Sequence, residues 1–166
     1  MKTQARSYIL GVDPGLQMTG LGLVQARDGH CFYVASQTIA PPVNESLARR
    51  LEQIFSEATK FLHAHRPAVM VVEKLIFARN TQVALKLGHA RGVLLLAAAQ
   101  AGIEIVDYTP REVKLAVAGN GAASKQQVQR MVQAVLEMAS LPEPHDIADA
   151  LALAICHAHR LTNERC

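Results

Sequence analysis

Residues 68–72 read Ala-Val-Met-Val-Val and stop abruptly at Glu73. An uninterrupted, valine-rich run of this length is a strand buried on both faces, so helices must cover both sides of the sheet that contains it. The rest of the chain supplies the material for such a fold. Three strand-like runs open it, Tyr8–Asp13, Gly20–Ala26 and Cys31–Ile39, with Asp28-Gly29 as the hairpin turn between the second and third. After Pro41-Pro42, apolar residues at Leu47, Leu51, Ile54, Phe55, Ala58 and Leu62 repeat at helical spacing, predicting a helix from Asn44, as its cap, to His65.

A second helix is predicted over Asn80–Ala101, capped by Asn80 and apolar nearly all round in its second half, so it must be covered on every side by its own domain or by another copy. A strand follows over Ile103–Asp107, then helices over Pro110–Ala118 and Ser124–Ala139, separated by Gly119-Asn120-Gly121. The last helix is predicted over His145–His159, with Ala148, Leu151, Ala152 and Ile155 as its core stripe. The order predicts one α/β domain spanning residues 1–166, a mixed sheet of five strands with helices on both faces.

Two acids end strands that would be central to this sheet, Asp13 in Gly-Val-Asp-Pro-Gly and Glu73 after the valine run. Asp13 also suits a turn before Pro14-Gly15; Glu73 has no such turn-forming role. Asp146 and Asp149 lie three apart at the start of the last helix, where acids also complement free amides and the helix dipole. His145 beside them reads as a flanking residue. Four carboxylates brought together stay ionised only beside a cation, and magnesium, which prefers oxygen ligands and retains open positions, suits that role. Two such ions support phosphodiester hydrolysis.

The net charge of +3 decides little, but residues 74–130 carry eight basic residues against three acids. This surplus fits either a footprint for a phosphate backbone or a solvated surface. Three cysteines form neither a zinc pattern nor a disulfide framework and fit a reducing cytoplasm; no run approaches a membrane span. The Asp13–Gly20 segment could instead cradle a nucleotide phosphate as in actin-like ATPases, but those close two such domains and this chain has length for one.

The segments Ile9–Gly15 with Thr19-Gly20, Glu73, Ala84–Gly92, Val113-Lys114, Gly119–Lys125 and Asp146–Ala152, in that order along nearly the whole chain, resemble the RuvC family of Holliday-junction resolvases. The resemblance implies a ribonuclease-H-like fold and a crossover junction endodeoxyribonuclease of recombination and repair. It implies paired symmetric nicks that leave 5′-phosphate and 3′-hydroxyl ends. It implies Asp13, Glu73, Asp146 and Asp149 as catalytic acids holding Mg2+, two ions per site, with Mn2+ able to substitute. Lys114 and Lys125 are implied at the scissile phosphates, unless they are exposed helix lysines. The loop Lys74–Asn80 is implied to reach into the junction, with Phe77, Arg79 and Asn80 as DNA contacts. The family often places phenylalanine three residues after the glutamate, where this chain has Ile76; Phe77 either stacks on a base or joins the core. The implied partners are four-way junction DNA, a second copy packed through the helix from Asn80, and a branch-migration motor of RuvA and RuvB type. A junction-binding module without catalysis, and a related nuclease acting on hybrids or single strands, are the competing readings.

Overall fold

The computed structural model describes residues 7–74 and 80–163. Five strands, β1 (Ser7–Asp13), β2 (Thr19–Arg27), β3 (His30–Ile39), β4 (Val69–Glu73) and β5 (Glu104–Tyr108), form one sheet in the order β3-β2-β1-β4-β5. The first three are antiparallel neighbours, whereas β1–β4 and β4–β5 are parallel. The predicted hairpin is present: Asp28 and Gly29 both take positive φ, 53° and 77°, as a two-residue turn between right-twisted strands requires.

Helices α1 (Leu47–His65) and α2 (Thr81–Gln100) cover one face; α3 (Pro110–Ala118), α4 (Lys125–Val135) and α5 (His145–Asn163) cover the other. Strand alternation sorts the side chains between two cores. Leu10, Val12, Met70 and Val72 pack on α1 and α2. Ile9, Val69 and Val71 pack on the α5 side. Asp13 and Glu73 continue the odd-numbered series, so both carboxylates leave the sheet on the α5 side.

Three glycines explain how closely α5 approaches. Gly11 and Gly22 are cross-strand partners, and Gly20 is the partner of Asp13. A methyl on Gly11 would collide with the Ala150 carbonyl, one on Gly20 with the Asp146 carbonyl, and one on Gly22 would lie 2.8 Å from Leu151 Cγ. The helix backbone therefore rests directly on β1 and β2, and its core stripe of Ala148, Leu151, Ala152 and Ile155 is buried as expected.

Three helix boundaries differ from the sequence reading. Helix α1 starts at Leu47 with Ser46 as its cap, because Asn44 lies within a turn closed by Glu45 N–H donating to the Pro42 carbonyl. Helix α4 ends at Val135 rather than Ala139, since Glu137 turns to a positive φ of 51°. Helix α5 runs on to Asn163. Helix α2 buries Ala90, Leu94, Ala97 and Ala98 but leaves Val83, Leu85 and Leu96 exposed. No helix among the described residues is long and apolar enough to cross a membrane.

Candidate active site

Strands β1 and β4 end side by side at the sheet rim, and there Asp13, Glu73 and Asp149 line one pocket of about 280 Å³ with Lys114 and Lys125. Val113, Val128, Ala152 and Leu153 form its apolar wall. Each polar group comes from a different element. Asp13 and Glu73 end their strands, Asp149 is in the first turns of α5, Lys114 is in the middle of α3 and Lys125 is the first residue of α4. Asp146 does not line the pocket, but its main chain rests on Gly20, the cross-strand partner of Asp13.

The local sequence builds these positions with caps and clamps. Thr109 and Glu112 form a capping box that starts α3, and Ser124 and Gln127 form one that starts α4. The fully buried Thr19 donates its hydroxyl to the Gly15 carbonyl and accepts from Gly15 N–H, closing the turn that follows Asp13. A methyl on Gly15 would collide with the Met18 carbonyl, so this turn closes only around glycine. From α1, Arg50 donates to the Leu16 carbonyl at 2.7 Å. Between α4 and the start of α5, the buried Gln129 amide donates to the Pro142 carbonyl at 2.8 Å. The sequence reading did not find Arg50 or Gln129, because nothing local distinguishes them from other polar residues of amphipathic helices.

Burial and repulsion make the pocket costly for negative charge. Burial is the largest cause that pushes the Asp13 carboxyl up to about 7, and Asp149, Asp146 and Glu73 raise it further against the opposing Lys125. Glu73 is raised by burial and Asp149, opposed by Lys125 and Lys114. Asp149 is raised by burial, opposed chiefly by Lys125, whose Nζ lies 3.7 Å from Asp149 Oδ2.

A divalent cation fits this donor set. Every candidate ligand is a hard carboxylate oxygen, and a bound cation would favour the ionised forms that burial and crowding oppose. Among the described residues, no three of His, Cys, Asp and Glu draw close enough to enclose an ion. The acids share an open pocket, an arrangement suited to an ion that keeps several waters and takes only one or two carboxylates.

Of the other candidates, Asn80 caps α2, its side-chain oxygen accepting from Gln82 N–H and Val83 N–H at 3.0 and 3.3 Å. Phe77 and Arg79 lie outside the described residues.

Comparison with known proteins bears on this geometry. The family model described as Crossover junction endodeoxyribonuclease RuvC matches residues 9–157. A crossover junction endodeoxyribonuclease RuvC of Moorella thermoacetica is 49% identical over 150 residues, covering 90% of each chain. The protein of the same description from Heliobacterium modesticaldum is 46% identical over 93% of this chain and 95% of its own. Among solved structures, T. thermophilus RuvC in complex with a Holliday junction substrate superposes with a TM-score of 0.90 at 33% identity, covering 95% of this chain and 96% of the other.

Proposed function

Because the chain belongs to the RuvC family of crossover junction endodeoxyribonucleases, we propose that Asp13, Glu73, Asp146 and Asp149 are the acids with which it cuts four-way DNA junctions. The chain has the ribonuclease-H-like fold of that family and is a divalent-metal-dependent Holliday-junction resolvase of DNA recombination and repair. The observation that carries the residue assignment is the convergence of Asp13, Glu73 and Asp149 from three elements on one pocket that also holds two lysines.

Mg2+ is the ion we assign, two per site, with Mn2+ as a substitute. Asp13, Glu73 and Asp149 would hold the ions directly, and Asp146, behind Gly20, completes the negative field. Bound ions supply an activated water and charge neutralisation at the phosphodiester. The lysines do the remaining electrostatic work. Lys114 approaches from α3 and Lys125 from α4, so their ammonium groups can flank a phosphate on the side facing the carboxylates. Among the described residues the one ion pair of Lys125 is the long contact to Asp149, and its side chain is largely exposed, so it can turn from that carboxylate to a phosphate oxygen. The apolar wall of Val113, Val128, Ala152 and Leu153 limits water around these charges and strengthens their interaction.

Residues 1–166 act as one nuclease domain in this reading. Phe77 stacks on a base at the junction, and Arg79 and Asn80 contact its backbone. Helix α2 packs on its counterpart in a second copy, whose cover suits the exposed Val83, Leu85 and Leu96. A two-fold dimer presents two identical pockets to two equivalent strands, which yields symmetric nicks with 5′-phosphate and 3′-hydroxyl ends. The enzyme works in the cytoplasm with a branch-migration motor of RuvA and RuvB type.

The test compares the wild-type chain and Asp13→Asn on a synthetic four-way junction, a linear duplex and an RNA–DNA hybrid, with magnesium. Wild-type cleavage of the junction alone is expected, with Asp13→Asn cutting at least about 1,000-fold more slowly and binding the junction normally. Normal cutting by Asp13→Asn overturns the residue assignment. Binding without cutting by the wild type identifies a binding module, and preferential cutting of the hybrid identifies a different nuclease.

A further inference from the structure

We infer that Arg111 is a further phosphate-binding residue, one that holds the DNA backbone next to, but outside, the pocket; this rests on the junction-cleaving function proposed above.

Two observations point to it. The first is position and free charge. Arg111 lies on α3 between Pro110 and Lys114, both of which line the pocket. Three residues before Lys114, it stands about 4.5 Å from it along the helix axis and on a neighbouring stripe. It is exposed, and among the described residues it takes part in no ion pair. The adjacent Glu112 does not neutralise it, because that carboxylate is engaged by Thr109 and by Arg160 at 2.8 Å.

The second observation is a seat. The stem of Arg111 crosses the main chain at Gly121, in the turn that leads into Lys125. A methyl on Gly121 would lie 2.9 Å from Arg111 Cγ and 3.3 Å from Nε. Gly121 is not among the glycines of positive φ, so what its missing side chain accommodates is the arginine stem passing over it. A long cation normally loses rotamer freedom when it grips a ligand. Here the stem already lies against the main chain at Gly121, which lowers that cost and places it beside the segment that joins the two pocket lysines. A planar fork with five donors suits the paired oxygens of a phosphodiester. The ligand class is therefore an internucleotide phosphate beside the one being cut, and the role is to hold the strand in register while Lys114 and Lys125 face the reacting phosphate.

Junction binding by the full chain, measured without divalent ion across a range of salt, tests this. Each phosphate neutralised contributes about 0.9 to the slope of log affinity against log salt on duplex DNA. Arg111→Gln is expected to weaken binding severalfold at low salt and to reduce the slope by nearly one such unit. Arg111→Lys should recover the slope but not the full affinity, since it keeps the charge and loses the fork. Wild-type affinity and slope in Arg111→Gln would overturn the inference. So would a lowered cleavage rate at saturating protein with an unchanged slope, which marks a packing role. Failure of the wild type to bind or cut junctions would overturn the functional reading and this inference with it.

Discussion

Helices α5 and α2 have 19 and 20 residues and similar stocks of alanine and leucine, yet they end in opposite situations. In α5 every residue from Ala150 to Cys156 is buried, whereas α2 buries four residues and leaves Leu85 and Leu96 at least half exposed. The difference lies beneath and beside them. Helix α5 rests on Gly11, Gly20 and Gly22, which let main chain meet main chain, and its remaining sides are walled by α3 and α4. Helix α2 packs on α1 and β5 and shares with α1 a core of larger side chains, Leu10, Val12 and Val72 among them, so one stripe is satisfied and another faces outward. Apolar content alone therefore does not say whether a helix is finished within its own chain. The surface of the sheet beneath it decides.

The contrast can be broken most forcefully at the glycines. Gly11→Ala should cost about 3 kcal/mol or more, read as a drop in the denaturation midpoint, because the clash is with the Ala150 backbone and no side chain can yield. An unchanged midpoint would mean that α5 does not rest on the sheet as described.

The same close seating crowds the acids, which gives a second test. Asp13 has a raised pKa in the folded chain, so between about 4 and about 7 the folded state binds more protons than the unfolded one. Metal-free stability should therefore fall as pH rises through that window. Asp13→Asn should remove most of the fall and be the more stable protein at pH 8, by on the order of 2 kcal/mol once the partial exposure of the site is discounted. The advantage should vanish near pH 4. Parallel curves for the two proteins would show that Asp13 is neither buried nor crowded as described, and saturating magnesium should narrow the gap at pH 8.

The smallest effect is expected on α2. Leu85→Glu with Leu96→Glu should change unfolding free energy of the isolated chain by no more than about 0.5 kcal/mol, because neither side chain is part of the core. Light scattering should nevertheless show a loss of self-association. A double variant that still dimerises would place the second copy elsewhere.

Much of this arrangement was legible in the sequence. The valine run before Glu73 announced a strand covered on both faces, and Asp28-Gly29 announced its hairpin, because burial and positive φ select residue types directly. Asp13 and Glu73 were readable as rim acids because each ends an apolar strand. What escaped notice depended on pairing between distant segments. That Gly11 opposes Gly22 and Gly20 opposes Asp13 emerges only with the β1–β2 register. That Gln129 reaches the Pro142 carbonyl requires knowing that α4 runs beside the approach to α5. Asn44 and Ser46 are both residue types that cap helices, and only the Pro42–Glu45 turn separates them.

The contact of α5 with the glycines has one further consequence. Backbone atoms have no alternative rotamers, so the clearance between Asp146 and Gly20, the cross-strand partner of Asp13, is a fixed gauge set by atomic radii. Repacking elsewhere around the helix can loosen or tighten its other neighbours without rescaling that interval. The acids should thus keep their spacing on warming for as long as the helix stays docked, and lose it all at once when it lifts.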